Sequence, residues 1–158
     1  MAQTPSQRAA AMKAVLGYTD ADVAAVQASM MILVGNIGSL MAAVQNNLLK
    51  GAGEEHLFGD DPDASASFGV QLSDFVMKSS AGNFSDEYCT FVAGMPDRVN
   101  PRPPASAFIA TVGVIGSWIS EVLASTVKDD PVKLAAMLKG WQKLLAINLE
   151  LLLSSYAK

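Results

Sequence analysis

His56 is the only histidine in the chain, and it stands in an acidic segment, Glu54-Glu55-His56 followed by Asp60-Asp61. An imidazole among carboxylates can hold a divalent metal, and an imidazole is also a common axial ligand of haem iron. Neither HxxxH nor ExxH spacing accompanies it, so a solvated loop histidine is the favoured reading over a metal or haem ligand. Cys89 is the only cysteine. A nucleophilic or chromophore-bearing thiol needs a base or cation beside it, and no histidine and no basic residue closer than Arg98 is near in sequence. A small buried hydrophobe is the simpler role. Gly51-Ala52-Gly53 follows no strand and is no phosphate loop. The eight methionines suit a plastic core that would tolerate an apolar guest. Asn148 breaks an otherwise apolar row. It either bonds a backbone carbonyl inside the core or sets register at a helix–helix interface. No catalytic constellation emerges, and the expectation is that the chain is not an enzyme.

The elements that position these residues read as helices throughout. No alternating strand pattern and no internal repeat is visible. Pro5 starts a short helix ending near Gly17, in an N-terminal extension of residues 1–18. Thr19, with Asp22 three residues on, caps the next helix, which Gly35–Gly38 kinks or divides; Leu40, Val44, Leu48 and Leu49 carry the pattern to Gly51. After a loop over Gly51–Asp63, a helix runs from about Asp63 to Ser79. Ser85 caps a shorter one that Pro96 stops after Met95. Pro103-Pro104 opens a long helix with two stripes. One is large (Phe108, Val112, Ile115, Ile119, Val122); the other is small (Ser106, Ala110, Gly113, Ser117, Ser120, Ala124). Such a helix is expected to be packed on two sides. Asp130 and Pro131 start the last helix, with Leu134, Leu138, Trp141, Leu145, Asn148, Leu152 and Tyr156 on one face.

With 158 residues, 51% of them hydrophobic and 16% charged, a single domain over 1–158 with a sizeable core is expected. A net charge of −4 argues against nucleic acid as a partner. One cysteine and no signal-peptide pattern fit a reducing compartment, and the expected location is cytoplasmic. Val23–Leu49 carries no formal charge, yet its two glutamines, three asparagines and two glycines favour buried core helices, so no membrane span is expected.

In this order the elements resemble the sensor globins, the domain shared by protoglobins, globin-coupled sensors and the haem-less globin modules of bacterial stress-signalling proteins. The family pattern has an acidic–tyrosine pair, a short helix, and a glycine with the proximal histidine three residues on. A proline turn then leads into a long helix, and a leucine-rich last helix closes on tyrosine. Here the residues are Asp86-Glu87-Tyr88, Cys89–Ala93, Gly94, Pro103-Pro104, and Leu144–Leu151 running on to Tyr156. At the histidine position stands Asp97, and the ligand-binding tyrosine maps near Met41.

The resemblance implies an all-α, globin-like helical sandwich of six to eight helices with a long antiparallel C-terminal pair. With both handles on haem lost, it implies a haem-less sensor or signalling domain with no cofactor expected. Its pocket would be walled by Met41, Val44, Phe68, Leu72, Phe75, Phe91, Val92, Met95 and Phe108. That pocket either is filled or holds an apolar guest such as a fatty acid, with Arg98 or Arg102 at its mouth for a carboxylate. The alternative is a haem globin for oxygen or another diatomic gas, ligated by His56, Cys89, Met95 or Tyr88. A homodimer through the last two helices is expected, using Ile115, Ile119, Trp141, Leu145, Asn148 and Leu152, because each helix is apolar over more width than one partner covers. A separate signalling protein is a further possible partner.

Overall fold

A computed structural model describes residues 2–44, 46, 62–100 and 102–157. Among them the chain is all helix: α1 Pro5–Leu16, α2 Asp20–Gly35, α3 Ile37–Val44, α4 Pro62–Ser79, α5 Asp86–Ala93, α6 Met95–Arg98, α7 Ala105–Thr126 and α8 Pro131–Leu153, with a 3-10 turn at Ser154–Tyr156. The loop bearing His56, and the expected continuation through Leu48 and Leu49, lie outside the described residues.

Local chemistry sets the boundaries. Thr4 and Gln7 form a reciprocal capping box, with Thr4 Oγ1 accepting from the Gln7 amide and Gln7 Oε1 accepting from the Thr4 amide. Gly17, at φ 65°, ends α1 in the left-handed region. The Thr19 amide donates to Asp22 Oδ2 at 2.9 Å, Ser85 Oγ accepts from the Tyr88 amide, and Asp130 Oδ1 accepts from the Lys133 amide behind Pro131. The uncharged run after Val23 is cut at Asn36, where α2 and α3 part by 76°. There Asn36 Nδ2 donates to the Ile32 carbonyl, and Ser39 Oγ donates to the Asn36 carbonyl. The helix expected over Ser85–Met95 is divided: Gly94 ends α5, and Pro96 sits in the first turn of α6 rather than stopping a helix. Pro104 is the N-cap of α7, and its first helical residue is Ala105. By length and composition Ala105–Thr126 could cross a membrane, and half of its most apolar window is buried inside the chain.

α8 is the axis of the fold, packed against α1, α2, α5 and α7. It runs antiparallel to α7, so that Phe108 meets Tyr156 and Gly116 meets Leu145. On its other side Gly140 admits α2: a Cβ there would lie 3.0 Å from the Asp22 carbonyl oxygen and 3.2 Å from Val26. One residue on, Trp141 Nε1 donates to Ser29 Oγ at 2.7 Å, and Ser29 Oγ donates to the Val26 carbonyl. The second indole follows the same pattern, with Trp118 Nε1 donating to Ser39 Oγ at 2.8 Å. Each serine thereby satisfies an indole N–H that burial would otherwise leave without a partner.

This arrangement buries most of the expected interface within one chain. Ile115, Ile119, Trp141, Leu145, Asn148 and Leu152 are each at most 6% exposed within one chain. Most of their surface is taken up within one chain, while Ile119, Trp141 and Leu145 also line the floor of an open groove between α7 and α8. Most of the apolar width of α8 is covered by four neighbours, a number the sequence pattern does not reveal. The small stripe of α7 remains open too.

Asp22 couples α2 to α8 through Lys143, whose Nζ donates to Asp22 Oδ2 at 3.0 Å and to the Gly17 carbonyl at 2.9 Å. Burial opposes the charge on Asp22, but the Thr19 amide, the Lys143 ammonium and the charge of Lys139 outweigh it and hold the carboxyl below its usual range. A depressed folded-state value stabilises the fold fully above the unfolded carboxyl value, ~3.9, and that contribution is lost as pH falls through the folded value. Acid unfolding followed by circular dichroism should therefore require a lower pH for the native chain than for Asp22→Asn. Identical acid midpoints would show that the pair contributes nothing.

Candidate functional site

Of the side chains expected to wall a pocket, Leu72, Phe75, Met95 and Phe108 border one small gap. Phe68, Leu72 and Phe75 come from α4, Val92 from α5, Met95 from α6, Phe108 from α7 and Val44 from α3, and all are buried. Phe68 meets Phe108 edge-on at 6.2 Å between centroids. The gap left among Leu72, Phe75, Met95, Phe108, Ile115 and Leu152 is about 10 Å³. That is roughly the space one water needs. The one hydroxyl on its lining, Thr111 Oγ1, already donates to the Ala107 carbonyl at 2.6 Å. Between these side chains there is no room for a macrocycle or an acyl chain.

Met41 and Phe91 sit at the margin, half-buried. The Met41 methyl occupies the space over Gly69, 2.8 Å from where a Cβ would be, and its sulfur accepts from Ser73 Oγ at 3.4 Å. Phe91 carries two cations against its ring, Lys78 Nζ at 3.9 Å and the Arg98 guanidinium at 4.4 Å. Arg98 also donates to the Phe91 carbonyl and to Gln71 Oε1, and partial burial lowers its pKa from the usual value. Arg102 stacks on Tyr156 at 4.3 Å, donates to Ser155 Oγ, and pairs with Asp97 at 3.3 Å. Both arginines are thus engaged on the outer surface rather than at a mouth. Asp97 itself is 64% exposed. At the position where the resemblance places an axial ligand, the chain presents a carboxylate to solvent.

The other donors considered for haem are also engaged or covered. The Tyr88 hydroxyl donates to Asn148 Oδ1 at 2.9 Å and lies 2.7 Å from Ser79 Oγ, while Asn148 Nδ2 donates to the same serine at 3.3 Å. This closed ring joins α4, α5 and α8, so Asn148 is a core amide that bonds side chains rather than a backbone carbonyl. Burial raises the Tyr88 pKa and disfavours a phenolate. Cys89 is buried, and burial raises its pKa as well. Met95 is packed in the core. Among the described residues, no group of three or more His, Cys, Asp or Glu could hold a metal ion. The described residues therefore do not fit a haem.

A different surface is open. On α7, Ser106, Gly113, Ser117, Ser120 and Ala124 face solvent, with Ile109 half exposed at 51%. This ridge runs between two grooves. One, about 890 Å³, lies against α3 and is floored by Ala42, Ala43, Ala110, Val114 and Trp118. The other, about 780 Å³, lies against α8 and is lined by Val112, Gly116, Ile119, Leu138, Trp141 and Leu145, three of which belong to the expected interface. The small stripe was visible in the sequence. Its openness was not, because the spacing of small residues does not say which face a neighbour covers. Comparison with protein-family models and with curated proteins finds no match to either.

Proposed function

We propose that the chain is a non-enzymatic, haem-less module of the sensor-globin kind, which signals by protein contact and pairs with a second copy of itself. The order of elements supports the globin-like half of this reading: helices bent apart at Asn36, an α4–α5 pair where a macrocycle would lie, and the long α7–α8 hairpin. The observation that carries the haem-less half is the packing of Leu72, Phe75, Met95 and Phe108 around a gap of about 10 Å³. The same packing favours a filled core over an enclosed fatty acid.

The contact surface in this reading is the α7 ridge. A ridge flanked by grooves is self-complementary, since a twofold axis lets each copy's ridge enter a groove of the other. Small side chains at Gly113 and Ser117 allow two backbones to approach closely, and the hydroxyls supply hydrogen-bonding groups. A Cβ at Gly113 meets nothing within 4 Å in one chain, so a change there perturbs association without disturbing the core. Light scattering at micromolar concentration should give the mass of a dimer. Gly113→Glu with Ser117→Glu should give a monomer with an unchanged helical circular dichroism spectrum. A native chain that is monomeric under these conditions contradicts the pairing, and the ridge would then be open to a separate signalling protein.

A further inference from the structure

α1 is attached unevenly. Its C-terminal end is clamped: Tyr18 OH donates to the Gly82 carbonyl at 2.5 Å, the Tyr18 ring meets Phe84 edge-on at 5.6 Å, and Lys143 Nζ holds the Gly17 carbonyl at 2.9 Å. Its N-terminal end is held by polar contacts at the surface. Ser6 Oγ donates to Asp86 Oδ1, and Arg8 pairs with Glu150, whose side chains are 30% and 35% exposed respectively. Of its apolar residues only Ala9 is fully buried; Met12 and Leu16 are partly packed, and Val15 is 79% exposed. A helix with so little apolar surface beneath it gains little from docking.

Two further features favour its release. Arg8 Nε is buried and has no acceptor among the described residues. That N–H recovers water only when the helix leaves, so the docked state bears a penalty. The pivot is Gly17, in the left-handed region at φ 65° with open space around it. Beneath the helix lie parts of α5 and α8. Cys89 of α5 is fully buried, one turn along from Asp86, the residue that Ser6 of α1 bonds. Ile147 is buried on α8, on the helical face between Lys143 and Glu150, the residues that hold the two ends of α1.

We infer that α1 is a flap, hinged at Gly17, whose N-terminal end swings away from α5 and α8 while the rest of the fold stays intact, uncovering Cys89 and Ile147. The inference stands independently of the proposed function, since it rests on the anchoring of α1 alone. Local opening exposes little surface, so it depends weakly on denaturant, whereas global unfolding depends on it steeply. The half-exposed ion pair also makes the opening sensitive to salt.

The sole cysteine is a native reporter. In the full chain, Cys89 labelling by an aromatic disulfide reagent should proceed at a rate nearly independent of urea well below the unfolding transition. It should rise with added salt. Ser6→Ala, which removes the hydrogen bond to Asp86 but leaves Arg8 in place, should accelerate it about two- to fivefold. Glu150→Gln should accelerate it similarly from the other side, and both variants should retain the native circular dichroism spectrum. Labelling that follows urea with the full slope of global unfolding overturns the flap. So does a labelling rate unchanged by both substitutions in proteins that remain folded.

Discussion

Trp141→Ala is expected to lower the stability of the fold by about 3–5 kcal/mol, a large part of the ~5–15 kcal/mol that holds a domain together. The indole is buried where α8 crosses α2, and truncation leaves a cavity lined by parts that α1, α2 and α7 cannot close without moving. It also strips Ser29 Oγ of the N–H it accepts. Trp141→Phe keeps most of the volume and loses the bond, so its cost should be nearer about 1–2 kcal/mol. Urea unfolding followed by circular dichroism measures both. A native unfolding midpoint in Trp141→Ala, together with loss of dimer mass, would instead place this side chain at an interface between copies.

Asn148→Ala should cost about 2–3 kcal/mol, because it removes two hydrogen bonds at once and leaves Tyr88 and Ser79 facing a small void. The ring acts as a unit. Combining Tyr88→Phe with Asn148→Leu removes polar atoms from both sides of one bond, and the double change should cost less than the sum of the single ones. A double-mutant cycle by urea unfolding reads the coupling. Strict additivity would mean that these hydroxyl and amide groups do not depend on one another.

The parts of the fold that were legible in the sequence are those set by residues close together in the chain. Thr19 and Asp22, Ser85, and Asp130 with Pro131 mark helix starts through contacts spanning three residues, and the structure places each of them there. Gly94 was harder. Its division of α5 from α6 depends on a turn in which the Gly94 amide bonds the Thr90 carbonyl, and a single glycine beside a proline does not announce that turn. What joins helices was not legible. Trp141 finds Ser29 across 112 residues, Trp118 finds Ser39 across 79, and Asn148 finds Ser79 across 69. Serines in apolar helices hint at buried partners, but no periodicity names the partner.

The candidate site divides along the same line. The burial of Val44, Phe68, Leu72, Phe75, Val92, Met95 and Phe108 was legible, because each lies on the apolar face of its own helix. Whether they line a cavity or fill one depends on how closely the helices approach, which rests on details such as Met41 seated over Gly69. The roles of Arg98 and Arg102 were misjudged for a related reason. Their stacking on Phe91 and Tyr156 turns both guanidinium groups along the outer surface. A cation near a pocket in sequence is as readily drawn to an exposed aromatic face.

The filled core is the central claim, and ligand uptake by the purified chain tests it most directly. The protein would be titrated with hemin under an absorption readout, then incubated with a long-chain fatty acid and weighed by native mass spectrometry. The account predicts no Soret band at one haem per chain and an unchanged apo mass after exposure to the fatty acid. A stoichiometric Soret band that disappears in His56→Ala, or a bound acyl chain that survives into the spectrum, would contradict it.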